Sequence, residues 1–182
     1  MGNCRSAALR RHESPAAYVT PRLAHTAQSG PTLLQVLAAA KRRKDFSFAG
    51  HRCLAKVVDV YDGDTIRVVF EYRGELIQYA VRMLGYDSPE MRPPKASPTR
   101  DAEKAAARAS AAALTEKIGD AIVHLECGAF DKYGRLLATV FTRARDGSRG
   151  EDVNAWMLAN RYGVPYGGGA KALYPGTVVS EL

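Results

Sequence analysis

The sequence predicts a mainly β domain with flanking helices, an α+β fold built on a five-stranded Greek-key barrel of the OB type. Three observations predict it. The inferred elements run β-β-β-α-β-β-α, the strands are short and joined by tight turns, and no internal repeat interrupts the order. With 46% of its 182 residues hydrophobic, the chain can bury one substantial core.

Residues 1–31 are rich in Ser, Pro, Ala, His and Arg without sustained periodicity, and read as a flexible arm. TLLQVLAAA, running into Lys41-Arg42-Arg43-Lys44, predicts a short helix over 32–44. LAKVVDVY (54–61) is Val-rich and opens the barrel as its first strand. TIRVVFEY (65–72) and LIQYAVRML (76–84) follow, hinged at Arg73-Gly74. Pro89, Pro93, Pro94 and Pro98 then impose a loop. Asp101 to Ile118 is Ala-rich and helical by propensity. Two strands come next, Ala121 to Cys127 and Leu136 to Thr142, the second reached through DKYGR. DVNAWMLAN (152–160) closes the list as a helix with an acidic start suited to its dipole. The expected organisation is a basic arm over 1–52, a barrel domain over 53–168 and a tail over 169–182.

Charge sharpens that division. The net charge is +7. Residues 1–52 hold nine Lys and Arg against Glu13 and Asp45, so the whole excess sits in the arm and residues 53–182 balance to zero. Such an arm suits nucleic acid or an anionic lipid surface equally, or is simply solvated. No apolar run reaches the eighteen or so residues of a membrane span. MGNCRSAALRRHESP lacks the apolar centre of a standard signal peptide. The three cysteines, Cys4, Cys53 and Cys127, have neither zinc-site spacing nor an even count.

Three segments carry more functional groups than folding needs. Asp62-Gly63-Asp64-Thr65 sets two like charges around a glycine at the mouth of a strand; its plain reading is a turn. Arg82 to Glu90 (RMLGYDSPE) places an arginine in an apolar strand ahead of two carboxylates on a proline-stiffened loop; its plain reading is a surface ion pair. Asp131-Lys132-Tyr133-Gly134-Arg135 reads plainly as a charged hairpin. If the three converge, their chemistry is coherent. Asp64 and Asp87 offer oxygen ligands to a hard divalent cation. Arg82 and Arg135 can cradle a phosphate with forked hydrogen bonds. Glu90 can activate or orient a water. That is a minimal kit for phosphodiester hydrolysis.

VDVYDGDTIRV, VRMLGYDSPE and DKYGRLLATV, in this order, resemble the three signatures of the staphylococcal nuclease (thermonuclease-like) family. VPYGGGAK (164–171) resembles a further motif of many members, and the likeness covers about residues 54–166. The resemblance implies an OB-fold barrel holding one Ca2+, with Asp64 and Asp87 as its carboxylates. Ser88, where threonine is usual, would ligate through its backbone carbonyl. Asp62 matches a nearby acid beyond the direct ligands, and Gly63 is read as the turn that lets Asp64 face Asp87. Glu90 stands in the general-base position. Arg82 and Arg135 match the arginines on the scissile phosphate, Tyr133 a nucleotide-facing position, and Tyr166 lies one residue off a base-facing tyrosine. Arg161 departs from the pattern by standing where a helix-ending glycine is common.

The implied activity is Ca2+-dependent cleavage of DNA and RNA with little sequence preference, by a monomer, leaving 3′-phosphate and 5′-hydroxyl ends. The competing class is a non-catalytic OB-type module that binds nucleic acid or protein; such modules tend to lack the carboxylates or arginines this chain retains. Finally, Met1-Gly2-Asn3-Cys4-Arg5-Ser6 fits the N-myristoylation pattern at Gly2, with Cys4 placed for palmitoylation, or matches it by chance. Two lipids, or one with basic residues, would anchor the chain at the cytoplasmic face of a membrane rather than leave it free in the cytoplasm.

Overall fold

The structure is a computed structural model and describes residues 30–169. Gly2 and Cys4, most of the arm, and the tail beyond Gly169 lie outside the described residues. The chain divides into two units at Lys44/Asp45.

In the first unit, helix α1 spans Leu33–Ala38, shorter than the expected 32–44. Thr32 and Gln35 cap it reciprocally: Thr32 Oγ1 accepts from Gln35 N at 3.3 Å and Gln35 Oε1 from Thr32 N at 2.8 Å. It ends at Ala38 with Ala39 as its C-cap, so the basic run Lys41 to Lys44 lies beyond it. None of its residues is buried.

The second unit holds the barrel. Strands β1 (Arg52–Val60), β2 (Thr65–Tyr72) and β3 (Glu75–Met83) form an antiparallel meander. Arg73 and Gly74 both adopt positive φ, 55° and 85°, the twist a two-residue hairpin needs. After the two-residue β4 (Tyr86–Asp87) and helix α2 (Arg100–Ile118), β5 (Ile122–Phe130) pairs with β1 and β6 (Leu136–Arg143) with β5. Closure comes from a parallel contact of β3 with β6, matching Val81 to Leu136, Arg82 to Leu137 and Met83 to Ala138. The result is a closed, mixed five-stranded barrel, β1-β2-β3-β6-β5, with three helices among the described residues, consistent with the expected OB-type α+β fold.

Alternating positions fill the interior, among them Val57, Ile66, Val68, Val81, Leu125 and Val140, all within 1% of complete burial. Leu114 and Ile118 bring α2 onto this core, each burial contributing about 1.5–3 kcal/mol. The core also reaches Phe48, 2% exposed and ringed by Phe46, Phe70, Tyr72, Tyr79 and Phe130, although the sequence reading began the domain only at residue 53. Cys53 is half-buried, Cys127 buried, and both are free thiols. Three short strands were not expected: β4, β7 (Arg149–Asp152), which extends the sheet from β6, and β8 (Val164–Pro165), which pairs with β4. Helix α3 (Val153–Ala159) packs Val153 and Met157 inward, with Asp152 as its N-cap accepting from Ala155 N at 2.9 Å.

Candidate active site

The β1–β2 turn is closed by Tyr61 N donating to Thr65 O at 2.9 Å, and Asp62 Oδ1 accepts from Asp64 N at 3.0 Å. Gly63 is present for a different reason than the sequence implied. Its φ is not positive, so the turn does not require glycine. A Cβ there would instead meet Ser110 Oγ of α2 at 1.9 Å and Ser88 Cβ at 2.8 Å. The missing side chain lets the acid turn lie directly on α2 and on the loop after β4. Tyr86, fully buried beneath, donates its hydroxyl to Gly63 O at 2.8 Å. Burial, and then the nearby Asp64 charge, push that phenol upward, so it remains a neutral donor.

Arg82 joins the first two segments. Its guanidinium meets Asp64 Oδ1 at 3.3 Å and Asp87 Oδ1 at 2.7 Å, and donates to Met83 O at 2.8 Å. All three side chains are buried, and a buried arginine is tolerable only with such partners. Asp64 Oδ2 accepts from Ser88 N at 2.8 Å, which locks β4 and its following loop onto the acid turn. Burial, followed by the charge of Asp64, raises the Asp62 carboxyl to about 6.

Arg135 joins the third segment. Parallel pairing of β3 with β6 aligns Val81 with Leu136, which brings the residue before Leu136 to the Arg82 end of the barrel. Asp131 Oδ2 accepts from Arg135 Nε at 2.7 Å, and Asp131 Oδ1 accepts from the Tyr133 and Arg135 amides, both at 2.9 Å. Burial raises the Asp131 carboxyl, but hydrogen bonds from Arg135 and Tyr133 outweigh it and hold the group below the usual range. Arg135 Nη1 contacts Thr65 Oγ1 at 3.3 Å, and Thr65 Oγ1 donates to Asp64 Oδ1 at 3.0 Å. One polar chain thus runs from Arg135 through Thr65 and Asp64 to Arg82 and Asp87.

Asp64, Arg82, Asp87 and Arg135 line a cavity of about 420 Å³ that also takes in Asp62, Ser88, Glu90, Tyr133 and Tyr166. A second cavity of about 390 Å³ shares Arg82, Arg135 and both tyrosines with it. Glu90 is exposed and its amide donates to Glu103 Oε1 of α2 at 3.2 Å. Tyr133 is 72% exposed, with Arg135 over its ring at 5.6 Å. Tyr166 is half-buried; its amide donates to Gly85 O at 3.0 Å and its hydroxyl to Gly169 O at 2.7 Å.

The donor set fits a hard divalent cation: two buried carboxylates span a single guanidinium, with oxygen atoms as the available ligands. Among the described residues no three His, Cys, Asp or Glu side chains gather to hold an ion, so carbonyl, water and substrate oxygens would complete its coordination. Sequence reasoning missed Thr65, Tyr86, Glu103 and Ser110. A tyrosine two residues ahead of Ser88 and a glutamate in an Ala-rich helix carry no local sign of what they touch.

The staphylococcal nuclease homologue family model matches residues 80–167, the span that holds Arg82, Asp87, Glu90, Arg135 and Tyr166. No curated protein matches the chain. That match runs from within β3 of the closed five-stranded barrel to β8, so the chain carries a region similar to the staphylococcal nuclease homologue family, which suggests a nuclease-like or nucleic-acid-related role.

Proposed function

We propose that this chain is a Ca2+-dependent nuclease that hydrolyses phosphodiester bonds of DNA and RNA with little sequence preference. The observation that carries the proposal is Arg82 held between Asp64 and Asp87, with Arg135 joined to the same cluster through Thr65.

Asp64, Asp87 and the Ser88 carbonyl would hold the ion, with Asp62 close behind. When bound, Ca2+ supplies positive charge against the phosphate and helps orient a water. Arg82 and Arg135 bind the non-bridging phosphate oxygens; a guanidinium carries five N–H donors, enough to keep its carboxylate contacts while reaching a phosphate. As negative charge grows on the non-bridging oxygens around the pentacoordinate phosphorus, both arginines stabilise it more than they stabilise the ground state. Glu90 takes a proton from the attacking water or aligns it. The new P–O bond forms as the bond to the 5′ oxygen breaks; that oxygen takes up a proton, leaving 5′-hydroxyl and 3′-phosphate ends. Tyr133 and Tyr166 offer ring faces to unpaired bases, so single strands are favoured over duplex.

The test is incubation of purified protein with single-stranded DNA and with RNA, in Ca2+ or in chelator, beside Glu90→Gln. Cleavage that needs Ca2+ and falls by about 10²- to 10⁴-fold in the variant supports the reading. Binding without cleavage in either condition replaces it with a non-catalytic nucleic-acid module.

A further inference from the structure

We infer that Glu103 is a positioning residue: its carboxylate grips the backbone of Glu90 and so sets where the Glu90 side chain stands over the cavity. The inference rests on the role given to Glu90 above. The loop that follows β4 contains Pro89, Pro93, Pro94 and Pro98, which have no N–H with which to join a ladder. Near the cavity two carboxylates hold it instead, Asp64 on the Ser88 amide at 2.8 Å and Glu103 on the Glu90 amide at 3.2 Å. The two grips flank Pro89 and leave the loop little freedom to swing Glu90.

Glu103 is 7% exposed, and burying a carboxylate is costly unless it meets donors. A plainer reading is that it serves the helix dipole from the first turn of α2. Asp101 already does so from an exposed position at no cost in desolvation. Its support is also rigid. Glu103 N donates to Thr99 O at 2.8 Å, and further along α2 Ala106, Ala107, Leu114 and Ile118 are buried. Ser110 Oγ donates to Tyr162 O at 2.7 Å and lies against Gly63. A side chain on a packed helix fixes a loop more tightly than the loop can fix itself.

The experiment compares Glu103→Ala and Glu103→Gln in the full chain. The amide oxygen of glutamine can still accept from Glu90 N; alanine cannot. In Ca2+-supported cleavage of single-stranded DNA, Glu103→Ala should lower kcat about 10- to 100-fold with KM nearly unchanged, and Glu103→Gln should recover most of the loss. In a Glu90→Gln background, Glu103→Ala should cost little more. Hydrogen exchange gives a readout independent of turnover: the Glu90 amide should be protected in wild type and in Glu103→Gln, and exposed in Glu103→Ala. A wild-type kcat in Glu103→Ala, an equal loss in the glutamine variant, or an unprotected Glu90 amide in wild type overturns the inference. Should Glu103→Ala not fold, the glutamine variant and wild-type exchange still decide it. A protected amide in a wild-type protein that cleaves nothing would fault the nuclease reading and leave the grip itself supported.

Discussion

Asp64 divides its two oxygens between partners from all three signature segments. Oδ2 fixes the Ser88 amide, while Oδ1 meets Arg82 and, through Thr65, reaches Arg135. Arg135 is therefore both a phosphate ligand in the proposal and a clamp on its own turn, and a lysine separates the two roles. Arg135→Lys keeps the charge but loses the fork. We expect kcat to fall about 10²- to 10³-fold in Arg135→Ala, and Arg135→Lys to remain strongly impaired, as read by single-turnover cleavage. A near-normal lysine variant would mean that only point charge is needed there. Gly63 makes a prediction of a different kind. Alanine would drive a Cβ into Ser110 Oγ at 1.9 Å, so Gly63→Ala should cost about 1–3 kcal/mol in urea unfolding. Pairing it with Ser110→Gly should return part of that loss. At this scale the carboxylates and arginines that gather at the cavity were legible by type and order, because such groups in apolar surroundings need a reason. The role of Gly63 was not, because its reason is a helix distant in sequence.

Among the elements, β2 and β6 bury nearly alternate positions, β3 ends in a continuous buried run at Val81 to Met83, and α2 forms where its Ala-rich composition favours a helix, so all four lie close to where the sequence places them. β4 and β8 could not be read: two residues hold no period, and each exists only because the other pairs with it. β7 reads RGED and is a strand only as an addition to β6. The end of α3 shows how one element absorbs a departure from the family pattern. Arg161 itself adopts φ 59°, its amide donating to Leu158 O at 3.0 Å and that of Tyr162 to Met157 O at 2.9 Å. This is a Schellman ending with arginine in the left-handed position that glycine prefers. The Cβ penalty there is about 1–2 kcal/mol, against about 0.5–1 kcal/mol of extra unfolded-state freedom in glycine. Arg161→Gly should therefore stabilise the domain by about 0.5–1 kcal/mol, raising Tm by roughly 1–4 °C. A lower Tm would show that the arginine side chain contributes more than its backbone conformation costs.

In the whole molecule, the barrel closure that assembles the cavity depends on the parallel β3–β6 contact, which composition and periodicity do not announce. Charge distribution, by contrast, is fully legible in the sequence and divides where the units divide. Residues 1–44 contain eight Lys and Arg and one Glu, a balance of +7, so residues 45–182 are neutral overall. The domain that bears the cavity thus has local positive charge at Arg82, Lys132 and Arg135 but no net attraction for a polyanion. If the first unit supplies that attraction, its removal should act on salt dependence before it acts on chemistry. The cut belongs after Lys44: a deletion through residue 52 would also take Phe48 out of the core and confuse unfolding with lost affinity. For a single strand, each phosphate contact adds about 0.7 to the slope of log affinity against log salt. Deleting residues 1–44 should flatten the slope by about 2–4, corresponding to three to six lost contacts, and weaken binding most at low ionic strength. Cleavage at saturating substrate should stay near that of the full chain, because the proposed catalytic groups all lie beyond residue 60. An unchanged slope would remove the basic segment from substrate binding and leave its charge for another anionic partner.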